Sequence, residues 1–245
     1  KMDLNKAIEI IHSELGEDHY EMVDCLISLS LWEFKNSYFS KARDIANKII
    51  QLAEKYYRGN HSSIAFAYKI KGICEYIEGE FTKSIEYLRK AQQMIISIFG
   101  AEHPDLVSIY YSLGETYLRD GNLTLAENLI KKAYDMQKTY FQEPHPETGS
   151  VNSKYASLNY HKGKHEEALK YHLEALANNI SVYGEDHPVS TLSYADVGTI
   201  YSFLGNQGTA LVYLNIALKT QKKFFGEEHI ELAWTYNRIG IVYGR

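Results

Sequence analysis

Histidines are the residues here whose type and spacing could do chemistry. The chain holds ten, and six of them (His19, His61, His103, His145, His187 and His229) follow one another at 42-residue intervals. Imidazoles ligate metals and shuttle protons. The spacing argues against a shared ion, because successive members of stacked helix pairs lie roughly 10 Å apart and zinc needs Zn–N bonds of about 2 Å. We read these six as capping helix ends or packing between loops. His161, His165 and His172 form the one local cluster, with His165 and His172 seven apart on one expected helix face beside Glu166. It lacks a His-Glu-x-x-His arrangement and cysteine ligands, so no metal site is expected. Cys25 and Cys74 carry no nucleophile signature and read as small core or groove fillers. No Gly-x-x-x-x-Gly-Lys-Ser/Thr phosphate loop occurs. The expectation is a non-enzyme without catalytic residues or cofactors.

The elements that position these histidines repeat with them. Four places before each stands a large apolar residue: Leu15, Tyr57, Phe99, Phe141, Tyr183 and Phe225. One column reads Ser30, Gly72, Gly114, Ala156, Gly198, Gly240, and another Ser37, Gly79, Gly121, Gly163, Gly205. Ala42, Ser84, Ala126, Ala168 and Ala210 form a third, and Ile49, Ala91, Ala133, Ala175 and Ala217 a fourth. Small residues at fixed offsets let helices approach closely. Between the histidines, stripes such as Leu106, Tyr110, Leu113, Gly114 and Tyr117 have helical i, i+3, i+4 spacing. Each period is therefore helix A, a turn at the Gly121-type column, helix B, and a loop ending in His. The sequence predicts about twelve helices and no strands.

This pattern resembles the tetratricopeptide repeat. The 42-residue period, with Gly100-Ala101-Glu102-His103-Pro104 and Gly184-Glu185-Asp186-His187-Pro188 at the joints, resembles the kinesin-light-chain subtype. The resemblance implies an all-α, right-handed α-solenoid of antiparallel helix pairs, with helix A lining a concave groove. We divide the chain into a partial repeat 2–19, repeats 20–61, 62–103, 104–145, 146–187 and 188–229, and a partial repeat 230–245. The repeats imply a scaffold or adaptor that binds a protein or peptide segment. Groove positions carried over from the family are Phe66, Lys69, Ile73 and Tyr76, then Tyr111, Glu115 and Arg119, then Ser153, Ser157 and Tyr160, then Thr199, Trp234 and Asn237. Asp24, Ile27, Leu31, Lys35, Ser108, Ser150, Leu192, Ala195 and Ser202 share the register.

Two readings of the aromatics stay open. Tyr68, Tyr110, Tyr194 and Tyr236 form one column and Tyr117, Tyr201 and Tyr243 another, and these read as core. Tyr76 and Tyr160 stand just after Glu75 and Asn159, which occupy that second column, so they are groove residues or core substitutes. The chain departs from known ligand patterns of the superfamily. Lys69, Ile73, Ser112, Ser150 and Lys154 do not form a two-carboxylate clamp, and of the paired asparagines of kinesin light chains only Asn237 remains, beside Arg238.

Composition narrows the class further. The net charge is −5, with 45% apolar and 23% charged residues, which is ordinary globular usage. The acidic balance argues against nucleic acid, and no apolar run approaches the roughly 18 residues of a membrane span. Two cysteines and no secretory signal point to a reducing, cytoplasmic setting. The unpaired helices at both ends lead us to expect a piece of a longer array, and self-association through those end helices is a further expectation. The alternative function is a sensor or regulatory arm of a larger signalling or defence protein.

Overall fold

The structure, a computed structural model, describes residues 2–16, 18–57, 59–141 and 144–245. Among the described residues there are twelve helices and no strands. They are α1 (Met2–Leu15), α2 (Met22–Lys35), α3 (Phe39–Tyr56), α4 (Ser62–Ile77), α5 (Phe81–Phe99), α6 (Asp105–Arg119), α7 (Leu123–Tyr140), α8 (Pro146–His161), α9 (His165–Tyr183), α10 (Pro188–Phe203), α11 (Gln207–Phe225) and α12 (Ile230–Tyr243). The chain divides within α7 into two compact units, Lys1–Ala133 and Tyr134–Arg245. Each unit is an α-solenoid of helix pairs. In the first, α2 packs on α3 and α4 on α5, and the A-type helices α2, α4 and α6 touch in succession. In the second, α8 packs on α9 and α10 on α11, and α10 touches α12.

Two local devices make the pairs. The first is the turn between A and B helices. At Gly121 the backbone takes φ +86°, and the Asn122 N–H donates to the Tyr117 carbonyl at 2.8 Å, which caps the orphan carbonyls of α6. Ser37 stands in the same column and is forced to φ 63°, a conformation that costs a residue with a Cβ. The second device is the joint histidine. His61, His103, His145 and His187 each accept the N–H two residues on through Nδ1, at 3.2–3.3 Å. An accepting Nδ1 is unprotonated, which places the ring proton of neutral imidazole on Nε2. The same rings stack on the aromatic four residues earlier, with centroids 3.8 Å apart for Tyr57–His61 and 4.1 Å for Phe141–His145. The histidine therefore both caps the next A helix and packs against the end of the preceding B helix.

The small-residue columns form the core of each unit. A Cβ added to Gly114 would lie 2.5 Å from Ile130 Cγ1, so only glycine permits this approach of α6 to α7. The alanines of both helix-B columns are fully buried. Tyr110 is buried and Tyr68, Tyr117, Tyr194 and Tyr201 are half-buried, as core tyrosines should be. Tyr236 and Tyr243 depart from that reading and are exposed on α12, which packs on α11 and α10.

Candidate functional site

In the first unit the A-type helices leave a cavity of about 310 Å³ between them. Ile73 and Tyr76 of α4 and Tyr111 and Glu115 of α6 line it, with Phe34 of α2 at one side and Leu88 of α5 beneath. The walls are mainly hydrocarbon and aromatic, and Glu115 supplies the carboxylate. The Tyr76 hydroxyl donates to Glu115 Oε1 at 2.9 Å. Burial raises the Tyr76 pKa, and the Glu115 carboxylate adds to the rise while Arg119 opposes it. The Tyr111 phenol is pushed well above its ordinary value by burial first and then by Glu115, to which it is hydrogen-bonded. Both phenols thus stay protonated and orient the carboxylate. Arg119 lies exposed beside this group. Phe66 and Lys69 open onto a neighbouring space of about 150 Å³, where Lys69 Nζ donates to Ser108 Oγ at 3.3 Å and lies 5.8 Å from the Phe66 ring centroid.

In the second unit a cavity of about 200 Å³ gathers Ser157, Tyr160 and His161 of α8, His172 of α9, Asp196 and Thr199 of α10, and Arg238 of α12. Ser157 and Thr199 donate their hydroxyl protons back to the Ser153 and Ala195 carbonyls, at 2.9 and 2.8 Å. Arg238 Nη1 donates to Asp196 Oδ1 at 2.9 Å. Tyr160 packs edge-on against Phe203, with centroids 4.9 Å apart.

The carried-over residues are therefore sorted by the structure. Ile73, Tyr76, Tyr111 and Glu115 share one cavity, and Ser157, Tyr160 and Thr199 share another. Trp234 and Asn237 stand exposed on α12 and line neither. Tyr76 and Tyr160 are half-buried and line cavities. The groove register leaves out Phe34, Leu88, Asp196 and Arg238, and His172 enters the sequence reading only through the histidine cluster. A usable signal existed for one pair, since Asp196 and Arg238 are opposite charges one period apart in the same register.

Other candidates are placed elsewhere. His165 faces the rings of Tyr160 and Phe203, at 5.3 and 5.7 Å between centroids. Cys74 is buried, and burial pushes its thiol pKa up to about 12, which removes the thiolate needed for nucleophilic work. Among the described residues, no group of three or more His, Cys, Asp or Glu side chains is placed to hold a metal ion, and no helix is long and apolar enough to cross a membrane. The arrangement offers side-chain-sized cavities with hydrogen-bonding groups on their walls, which suits binding.

Comparison with known proteins agrees with this geometry. The family model described as tetratricopeptide repeat matches residues 63–139 and 147–223, more than half of the chain. Among solved structures, the chain is similar to BtubC (BKLC) from P. vanneervenii, with a TM-score of 0.70, 16% identity, and coverage of 92% of this chain and 89% of that one. It is also similar to the nearly identical TPR-like repeats of a kinesin light chain candidate from Podosopora anserina, with a TM-score of 0.62, 17% identity, and coverage of 84% and 97%. A third likeness is to the APC/C hetero-tetramer Cut9-Hcn1, with a TM-score of 0.71, 18% identity, and coverage of 98% of this chain and 40% of that one. No curated protein sequence matches the chain.

Proposed function

We propose, from the premise that the chain belongs to the tetratricopeptide repeat family and is a protein-interaction scaffold of kinesin-light-chain-like type, that it binds an extended peptide segment along its A-helix face and catalyses nothing. The observation that carries the proposal is the first-unit cavity, where Ile73, Tyr76, Tyr111 and Glu115 converge above Leu88. Apolar walls take a side chain out of water, at about 25 cal/mol per Å² buried. A carboxylate held by two phenols accepts a hydrogen bond from the peptide backbone or from a polar neighbour. Half-buried tyrosines around such a pocket are the side chains that dominate binding energy at interfaces. Free Cys25 and Cys74 support a place in the reducing cytoplasm.

A peptide array probed with the intact chain supplies a binding sequence, and fluorescence anisotropy measures its affinity. We expect Tyr111→Ala to weaken that peptide by about tenfold to a hundredfold, a loss of roughly 1.4–3 kcal/mol. Trp234→Ala, outside both cavities, should change it far less. Equal affinity of Tyr111→Ala and the unaltered chain would sink the proposal.

A further inference from the structure

The second-unit cavity occupies the place of the first-unit cavity two periods further on, with its chemistry altered residue by residue. Ser157 stands in the register of Ile73, Tyr160 of Tyr76, His172 of Leu88, Asp196 of Ser112 and Thr199 of Glu115. The exchange at 172 is one that packing does not explain. In the other full periods this register is Ala46, Leu88, Ile130 and Leu214, all fully buried. His172 is only 4% exposed, and its Nδ1 is buried without a hydrogen-bond partner. Nδ1 is closed off from solvent, so a molecule in the cavity meets the remaining atoms of the ring.

The groups around His172 define what would fit. From α8 it faces Lys154, from α10 Asp196 and from α12 Arg238; burial keeps the imidazole neutral, and the two cations act in the same direction against the aspartate. Neutral imidazole carries one N–H and one lone pair, and with Nδ1 closed off the ring can present the cavity with Nε2 alone. The Ser157 and Thr199 hydroxyl protons are committed to helix carbonyls, so these oxygens offer acceptor lone pairs. The Asp196–Arg238 pair engages one carboxylate oxygen and one guanidinium nitrogen in its hydrogen bond, and its formal charges cancel. Among the lining residues the formal charges are Asp196 and Arg238, so a cation entering here meets Arg238 and an anion meets Asp196 and two hydroxyl lone pairs. A neutral group that donates and accepts from adjacent atoms meets neither penalty.

We propose that this cavity is a subsite for the side-chain carboxamide of a glutamine or asparagine of a peptide partner. The proposal rests on the groove reading above. It differs from the first-unit subsite, which takes an apolar side chain.

The test uses the intact chain labelled with ¹⁵N-histidine, its His172 ring resonances assigned by their loss in His172→Leu. N-acetyl-glutamine methylamide is titrated in, and the glutamate and lysine analogues serve as charged probes. The expected result is a shift of the His172 resonances at concentrations about tenfold lower for the glutamine probe than for either charged one. Thr199→Val, which removes one acceptor and keeps the side-chain shape, should abolish that preference while circular dichroism stays unchanged. Equal response to all three probes, or no response to the glutamine probe up to its solubility limit, overturns the subsite. Such a failure with Tyr111-dependent peptide binding intact removes the subsite alone. Loss of Tyr111 dependence overturns the groove reading, and the subsite with it.

Discussion

The two units solve the same packing problem with different chemistry. In the first, Ala53 and Ile95 fill a buried column of the B helices, and Ala67 and Ile109 stand fourteen residues later on the following A helices. In the second unit the B-helix column becomes Gln137, Asn179 and Gln221. Gln137 Nε2 donates to Asn152 Oδ1, Asn179 Nδ2 to Ser193 Oγ at 2.9 Å, and the Thr235 hydroxyl to Gln221 Oε1 at 2.7 Å. The cavities differ at single positions: the first lies over Leu88, and the second lies over His172 with Ser157, Asp196, Thr199 and Arg238 on its wall. Hydrocarbon packing is forgiving of orientation, whereas buried amides and hydroxyls fix it, because each must meet its partner. One repeat register can therefore carry either kind of contact without changing the backbone plan.

Exchanging residues between equivalent positions puts this comparison at risk. The largest effect is expected for Leu88→His, which imports the second unit's residue beneath the apolar cavity. Leu88 is fully buried against Gly72, and the variant should lose about 3 kcal/mol in urea unfolding. Tolerance of histidine there would mean that the two registers are not chemically distinct.

Gly149→Ala is next. A Cβ at this position would fall 1.8 Å from Asn179 Oδ1, inside the polar column of the second unit. The buried amide has to move or lose its bond to Ser193, at a cost of about 1–3 kcal/mol. Thermal unfolding measures it, and an unchanged Tm would contradict the close packing of that amide.

The smallest effect has the opposite sign. His172→Leu restores the residue found at Leu88 and Leu214, and should stabilise the chain by about 1 kcal/mol at neutral pH. Burial lowers the folded-state pKa of His172, so below the ordinary value of about 6.5 the unfolded chain binds a proton that the folded chain refuses. Stability from this group is complete above that pH and is lost as pH falls toward the lowered folded value. The advantage of His172→Leu over the unaltered chain should therefore widen as the pH is lowered from 7 to 5. An advantage that stays constant would mean that His172 titrates alike in both states.

These differences also explain which parts of the molecule could be read from sequence. The histidine period and the columns at Gly114 and Ala126 were legible because a close helix approach admits few residue types. The turn column was legible through its glycines, even though Ser37 occupies one place with φ 63°. The sequence reads the joint histidines as capping or packing, and His61, His103, His145 and His187 do both. Their stacking on Tyr57 or Phe141 depends on ring orientation, which a one-dimensional pattern does not carry. Phe34 and Leu88 were missed because the cavity draws on three A helices and the B helix beneath them, while the family register names positions on one helix at a time. His172 was noticed as a metal candidate, when the informative fact was its place in a column of buried aliphatic residues.

Photocrosslinking tests the central claim, that peptide lies on the A-helix face over the first-unit cavity, most directly. A benzoylphenylalanine placed at half-buried Ile73, and another at exposed Lys131 on the B helix α7, are irradiated with the array-selected peptide. The account predicts a crosslinked product from position 73 that excess unlabelled peptide competes away, and none from position 131. A competable product from position 131 with none from position 73 would contradict it.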